Sequence, residues 1–589
     1  MYAGAETRKS LLSILNQIKS SRSIPKQWDL VKIVTIYKQK GSKKVLKYYR
    51  GIFLALVVSK IFEGLIKSRI EPHLKKVNLL QAGSRSERGG PDNLFLLRGC
   101  IDHFVANKMK LFVTTYDYEQ AFDSLWVEKC ILALYNIGVP KEMLDLIYGL
   151  NKQAEVVVKT PYGYSSAFVT EPIVKQGTVL GSVLCSTSTG EYCGRNEGIQ
   201  VGDMKLSSLL YVDDVLDLTE SERCRIKTHE EAVVFSKENN LTLSGSKCFS
   251  MAINNNEQLP DPMEIDNDKM VIPTEETVYL GDVFNHRGNN DGLIKDRVRR
   301  GTKAMICISS LIQESNLGSY EVNVWLLLYR SLFLSTVVFN CQAWSRLREM
   351  DLNKLKVMQM KMLKRVLRLP SSCPNSFILL EFGVLPIEGE IHKRQLMYLH
   401  RILQLPEEDP VSQMFRNEVQ LCERGENNWW TQVGPLLERY GLPDVDVIKN
   451  LTKHVFKRMV NSGVQGVLFL QLKTQCSSMK KTAHLQYDKF AVQPYLGCMF
   501  ANSARVIMKS RCRTLDIKVQ NTYKFVDMDN LCRKCGTMPE TAEHVVNCGY
   551  TEKLDVDTDR IQDVSELTQV QLTRWASRVR DFCDSVEEG

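Results

Sequence analysis

No apolar run in this 589-residue chain approaches the ~18 residues needed to cross a membrane. The longest, Ile52 to Val58 and Trp325 to Leu328, fall far short. The start places Arg8 and Lys9 before an amphipathic LLSILNQI, and so lacks the apolar block and cleavage site of a signal peptide. Internal repeats and low-complexity tracts are also lacking. With 25% charged residues and ordinary counts of Gly (34) and Pro (18), the composition excludes a collagenous, disordered or purely coiled-coil chain. Seventeen Cys is an odd number, which argues against a disulfide scaffold and for reduced intracellular thiols, some of them binding metal. A soluble, multidomain globular protein without membrane contact is expected.

What is present is uneven in charge. Residues 1–80 hold 17 basic and 4 acidic side chains, residues 290–370 hold 14 and 6, and residues 551–589 reverse to 5 and 10, within a net charge of +9. Two basic segments around a more neutral middle fit the walls of a channel for a polyanion, or equally solvated helix faces. Short strand patterns (LFVTTYDY, AEVVVKT, KLSSLLYV, TVYLGDVF) alternate with helical ones from 111 to 285, predicting an α/β domain with a largely antiparallel sheet. Residues 292–370 read as helical, ending in DLNKLKVMQMKMLKRVLRLP, where Pro370 stops a basic amphipathic helix. Mostly helical pattern continues to about 510.

The sharpest local signal is LLYVDDVL (209–216), an apolar strand interrupted by Asp213 and Asp214. Adjacent carboxylates are costly to bury unpaired, so they are expected at a strand turn facing cations; the competing reading is a hairpin tip with solvated carboxylates. The strand LFVTTYDYEQAFDSLW (111–126) brings Asp117 in a similar setting. If the two strands are neighbours, Asp117, Asp213 and Asp214 form a carboxylate cluster suited to two Mg²⁺ ions and in-line phosphoryl transfer. Farther on, Cys532-x2-Cys535-x8-His544-x3-Cys548 offers three thiolates and one imidazole, the donor set of a closed tetrahedral Zn²⁺ site.

The ordered blocks Asp117-x4-Phe122, Gln176-Gly177, Tyr211-Val212-Asp213-Asp214, Lys247 and Tyr279-Leu280-Gly281 resemble the palm of a reverse transcriptase of the non-LTR retrotransposon group. Residues 24–70 resemble that group's fingers, residues 81–102 its next block, and LYRSLFLSTVVFNCQAW (328–344) its thumb. The Cys/His cluster resembles its C-terminal Cys-Cys-His-Cys element. The resemblance implies an α/β right-hand polymerase, with fingers at 10–110, palm at 111–288 and helical thumb at 289–370. A helical connector (371–510), a zinc module (511–555) and an acidic tail (556–589) would follow. It further implies RNA-directed DNA synthesis from dNTPs on an RNA template and a DNA primer, with two Mg²⁺ and a structural Zn²⁺. Asp117, Asp213 and Asp214 would hold the Mg²⁺, and Lys247 would act as general acid toward pyrophosphate. Arg50 and Lys38 would hold the triphosphate, Phe122 would lie under the sugar and exclude a ribose 2′-OH, and Gln176, Gly177 and Tyr211 would complete the substrate-binding set. Nuclear and/or cytoplasmic location is expected.

The sequence departs from the group's pattern at Tyr49-Arg50-Gly51-Ile52, where Arg-Pro-Ile is usual. It departs again at GTVLGSVL after Gln176, where Leu-Ser-Pro is usual, and at YEQA (118–121). Lost prolines loosen preset backbone angles. These changes motivate an alternative reading as a catalytically decayed nucleic-acid-binding remnant; an RNA-copying RNA polymerase is a third, opposed by Phe122. With the fingers block near the start, and no nuclease-like constellation after Cys548, a separate nicking endonuclease is expected.

Overall fold

The computed structural model describes residues 4–28, 30–39, 41–254, 259–266, 268–314, 321–520, 529–550, 554 and 567–587. Contacts divide the chain into two units. Met1–Asn289 with Leu405–Trp430 form one, and Asn290–Gln404 with Thr431–Gly589 form the other.

The first unit is α/β and carries two main sheets. In the smaller, β1 (Leu30–Tyr37) lies between β2 (Tyr49–Leu54) and β4 (Glu155–Thr160), and β4 also pairs with the short strands β5 (Gly163–Tyr164) and β6 (Phe168–Val169). The larger sheet runs in the order β12 (Met263–Asp266), β13 (Lys269–Pro273), β11 (Phe249–Ile253), β3 (Leu111–Tyr116), β10 (Asp214–Thr219), β9 (Ser208–Tyr211). It is antiparallel except between β11 and β13. All six residues of β3 are buried, as its unbroken run of apolar and Thr side chains requires of a central strand. The helix Glu222–Glu238, begun by Ser221, whose hydroxyl accepts from the Cys224 amide, covers this sheet and hydrogen-bonds His229 to the Tyr116 hydroxyl at 3.1 Å.

Two strand patterns resolve differently from expectation. KLSSLLYV contains two strands, β8 (Met204–Leu206), which pairs with β7 (Ile199–Val201), and β9. TVYLGDVF is not one strand but a hairpin of β14 (Glu276–Tyr279) and β15 (Asp282–Asn285). Its turn residues Leu280 and Gly281 have φ of +46° and +85°, the two positive values that reverse a chain within two residues.

The segment Leu405–Trp430 packs on the helix Gly90–Ala106 of the first unit. Asp409 caps the helix Pro410–Glu423 and pairs with Arg88. Met414 fills the space a side chain at Gly99 would need, and Trp429 meets Phe95 edge to face at 5.2 Å.

The second unit is helical. Its core gathers Trp325, Trp344 and Trp575 with the helices Asp291–Glu314, Glu349–Val366, Asn375–Phe382 and Ala501–Arg511. The basic amphipathic helix stops at Val366, ahead of Pro370. Val322–Ala343 is, by length and mean hydropathy (1.6), apolar enough to cross a membrane, against the expectation that no such stretch exists. It carries a buried stripe of Trp325, Tyr329, Phe333, Val337 and Cys341, in steps of four. A π-turn over Tyr329–Leu334 lets the steps from Trp325 to Val337 stay on one face of the helix, and Cys341 follows after a turn at Asn340. At the chain's end, residues 556–566, 588 and 589 of the expected acidic tail lie outside the described residues. Most of the remainder forms the helix Gln569–Glu587, which buries Leu572, Trp575, Val579 and Phe582.

Candidate active site and metal centre

β10 pairs with β3 so that Val215 faces Tyr116, which brings Asp214 and Asp117 out at the same end of the sheet. Asp214 also pairs with Tyr211, so Val212 and Asp213 form the tip of the β9–β10 turn. The Lys247 ammonium donates to the Asp117 carboxylate. Burial pushes the Asp214 carboxyl up to about 7, with Asp213 and Asp117 adding to the rise and Lys247 opposing it. Burial likewise raises Asp213, aided by Asp117 and opposed by Lys247 and Arg50. Asp213 and Asp214, raised by burial and by the charge of Asp117 beside them, make a site short of positive charge, the setting in which divalent cations with oxygen ligands bind. The donor set therefore fits Mg²⁺.

The other residues singled out in the sequence lie on several elements of the first unit. Gln176 accepts from the Phe53 amide at 2.8 Å through its backbone carbonyl. Gly177 has φ +99°, and a side chain there would stand 2.9 Å from Ile52. Arg50 acts on Asp213, and Lys38 lies close enough to oppose the burial that raises Asp123. Phe122 sits partly buried on the single-turn helix Ala121–Ser124, packed against the first unit's core. Tyr211 ends β9 and is half-buried.

The missing proline after Gln176 is compensated. The amides of Val179 and Leu180 donate to buried Glu63 at 2.7 and 3.1 Å, which fixes the turn into the helix Gly181–Gly190. Sequence reasoning missed Glu63, because its partners lie 116 and 117 residues away. It also missed Asp217, buried below the turn, where Ser208 and Tyr192 each donate to it at 2.6 Å.

In the second unit, the donor atoms of Cys532, Cys535, His544 and Cys548 all lie within 4.8 Å of one another, a group that can hold a metal ion. Gly536, with φ +69°, turns the chain after Cys535, and its amide bonds the Cys532 carbonyl at 2.8 Å. Thr541 caps the short helix that presents His544. The hydroxyl of Thr537 and the amides of Thr537 and Met538 hold the Cys535 thiol down at about 5. Burial and the neighbouring thiols push Cys548 up to about 12. Cys548 thus resists ionisation beside the other thiols, and a bound cation would relieve that repulsion.

Residues 37–283 match the family of reverse transcriptases (RNA-dependent DNA polymerases). This part of the chain, which contains the carboxylate cluster on its α/β sheet, is therefore similar to a reverse transcriptase domain. The resemblance to non-LTR elements holds as well. The RNA-directed DNA polymerase from mobile element jockey of Drosophila melanogaster is 24% identical over 371 residues, covering 60% of this chain and 39% of that protein. The probable RNA-directed DNA polymerase from transposon BS of the same species is 22% identical over 414 residues, covering 67% and 44%. The chain therefore spans about two-fifths of the length of these relatives. Apo telomerase from Candida tropicalis superposes with a TM-score of 0.35 at 14% identity, covering 78% of this chain and 74% of that one.

Proposed function

We propose that the chain is the RNA-directed DNA polymerase of a non-LTR retrotransposon, extending a DNA primer with dNTPs on an RNA template. The observation that carries this reading is the convergence of Asp117, Asp213, Asp214 and Lys247 at one end of the β3–β10 pair, inside the matched segment. Asp117, Asp213 and Asp214 would hold two Mg²⁺ ions, whose charge would acidify the primer 3′-OH and offset that of the leaving pyrophosphate. Lys247 holds a proton beside Asp117 and delivers it to the pyrophosphate oxygen. Arg50 and Lys38 orient the triphosphate by charge-assisted hydrogen bonds. Phe122 closes the floor of the sugar site against a 2′-OH, Gly177 leaves room for the nascent base pair beside Gln176, and Tyr211 borders the primer end.

Cys532, Cys535, His544 and Cys548 hold a structural Zn²⁺. The expected nuclear and/or cytoplasmic location follows from the same reading. The substituted turn held by Glu63 gives no support to a decayed remnant.

Mg²⁺-dependent primer extension on an RNA template tests the reading. Wild type extends, and Asp213→Asn with Asp214→Asn abolishes extension while leaving RNA binding intact. A folded wild type that binds RNA but adds no nucleotide would overturn it.

A further inference from the structure

Val212, between Tyr211 and Asp213, has φ +60°. For a β-branched residue this left-handed backbone is strongly disfavoured, so surrounding groups must hold it. They do so through one side chain. Gln81, fully buried, accepts from the Val212 amide at 2.9 Å and donates to the Val212 carbonyl at 3.1 Å. Its remaining positions are filled by the Gly83 amide at 2.8 Å and the Thr189 hydroxyl at 3.0 Å, so all four hydrogen-bonding sites of the amide are used. The Thr189 hydroxyl itself lies 2.6 Å from the Val212 carbonyl. Gly83 allows the approach, since a side chain there would meet the Val212 nitrogen at 2.4 Å.

The same segment holds the outer strand of the hairpin. The Ala82 amide donates to the Leu210 carbonyl, and the Leu210 amide to the Leu80 carbonyl, each at 2.9 Å. The turn is therefore anchored from outside the hairpin, at its most strained residue and one residue before the carboxylate pair.

We propose that Gln81 is a positioning residue for the reaction, its amide clamping both peptide groups of Val212 so that Asp213 and Asp214 stand where the chemistry needs them. The consequence for catalysis rests on the polymerase reading above; the clamp itself does not. Thr189 is the second jaw. Released, Val212 relaxes toward negative φ and rotates the peptide leading into Asp213. Neither Arg50 nor Lys38 moves, so nucleotide affinity is spared while turnover falls.

Two measurements on the full-length protein test this. In metal-free protein, Gln81→Ala raises amide hydrogen exchange across residues 210–214 by about tenfold or more, leaving β3 and β11 unchanged. In single-nucleotide addition, Gln81→Ala lowers kcat by about tenfold or more with KM for dNTP within about twofold. Thr189→Val, of nearly equal volume, shows a weaker form of both effects and guards against a Gln81→Ala chain that fails to fold. Adding Val212→Gly to Gln81→Ala recovers much of the lost turnover, because glycine adopts the positive φ without a clamp. A merely structural glutamine would not be bypassed by that change. Exchange of the hairpin within about twofold of wild type in both single variants overturns the clamp. Unchanged kcat alongside faster exchange overturns its positioning role. If wild type adds no nucleotide at all, the polymerase reading fails and the exchange arm still decides the clamp.

Discussion

Asp217 offers a sharp test of how burial acts beneath the β9–β10 hairpin. Its carboxylate is fully buried on β10, with Ser208 and Tyr192 donating at 2.6 Å and Asn196 at 3.5 Å. Burial outweighs these donors and pushes the group up to about 7. Because the folded value lies above the unfolded value of about 3.9, the folded chain binds this proton more tightly than the unfolded chain does. Stability is therefore unaffected below about pH 4, falls by about 1.4 kcal/mol per unit between about pH 4 and 7, and levels off above that. The whole penalty is about 4 kcal/mol, of which about 3 develops between pH 5 and 8. Asp217→Asn keeps the side-chain shape and cannot ionise, and the three donors can reorient around its amide. Its stability relative to wild type should rise by about 3 kcal/mol from pH 5 to pH 8. Protection factors of the β3 and β10 amides in both proteins report this locally, avoiding the assumption that two units unfold as one. A difference that stays constant within about 0.5 kcal/mol across that range would refute the reasoning.

Other outcomes follow from single contacts. Gly83→Ala should cost about 2 kcal/mol or more and expose the β9–β10 turn to exchange, since its new methyl meets backbone at Val212 rather than a movable side chain. Glu63→Ala leaves the Val179 and Leu180 amides without their acceptor, which predicts about 1–3 kcal/mol of lost stability in thermal melts and a raised KM for dNTP in primer extension. Trp429→Ala should cost about 3–5 kcal/mol by denaturant titration and free Leu405–Trp430 from the helix bearing Phe95 to limited proteolysis. Metal analysis should find one Zn²⁺ per chain, lost with Cys532→Ser plus Cys548→Ser. Removing it should raise hydrogen exchange in Gln569–Glu587, because Arg578 ties that helix to the Val546 carbonyl at 3.2 Å and stacks on Tyr550 at 4.2 Å.

The residues that announce chemistry do so through local pattern. Asp213 and Asp214 break an apolar strand, and Cys532 to Cys548 carry metal-ligand spacing, whatever the rest of the chain does. The α/β character of residues 111–285 is equally local, since strand and helix periods are written in short windows. That Asp117 and Asp214 share one end of a sheet could only be supposed, because pairing between β3 and β10 joins segments about a hundred residues apart.

Several other features depended wholly on tertiary structure. TVYLGDVF fits a strand by composition, but Leu280 adopts a positive φ that tertiary context imposes against its own preference. Apolar length alone does not distinguish a membrane-crossing helix from a core helix, and it is the buried stripe Trp325, Tyr329, Phe333 and Val337 that shows one face of Val322–Ala343 packed into the second unit's core. Nothing in GTVLGSVL points to Glu63, and nothing in YVDD points to Gln81, 131 residues from the peptide it holds.

By itself the sequence determined which side chains are the candidates for the chemistry and the periods of the elements that bear them, because both are properties of neighbouring residues. Tertiary structure alone decided which distant groups hold those side chains still. A hydrogen bond to a strained turn requires two segments to be brought together, and that is settled by packing of the whole unit rather than by either segment's sequence.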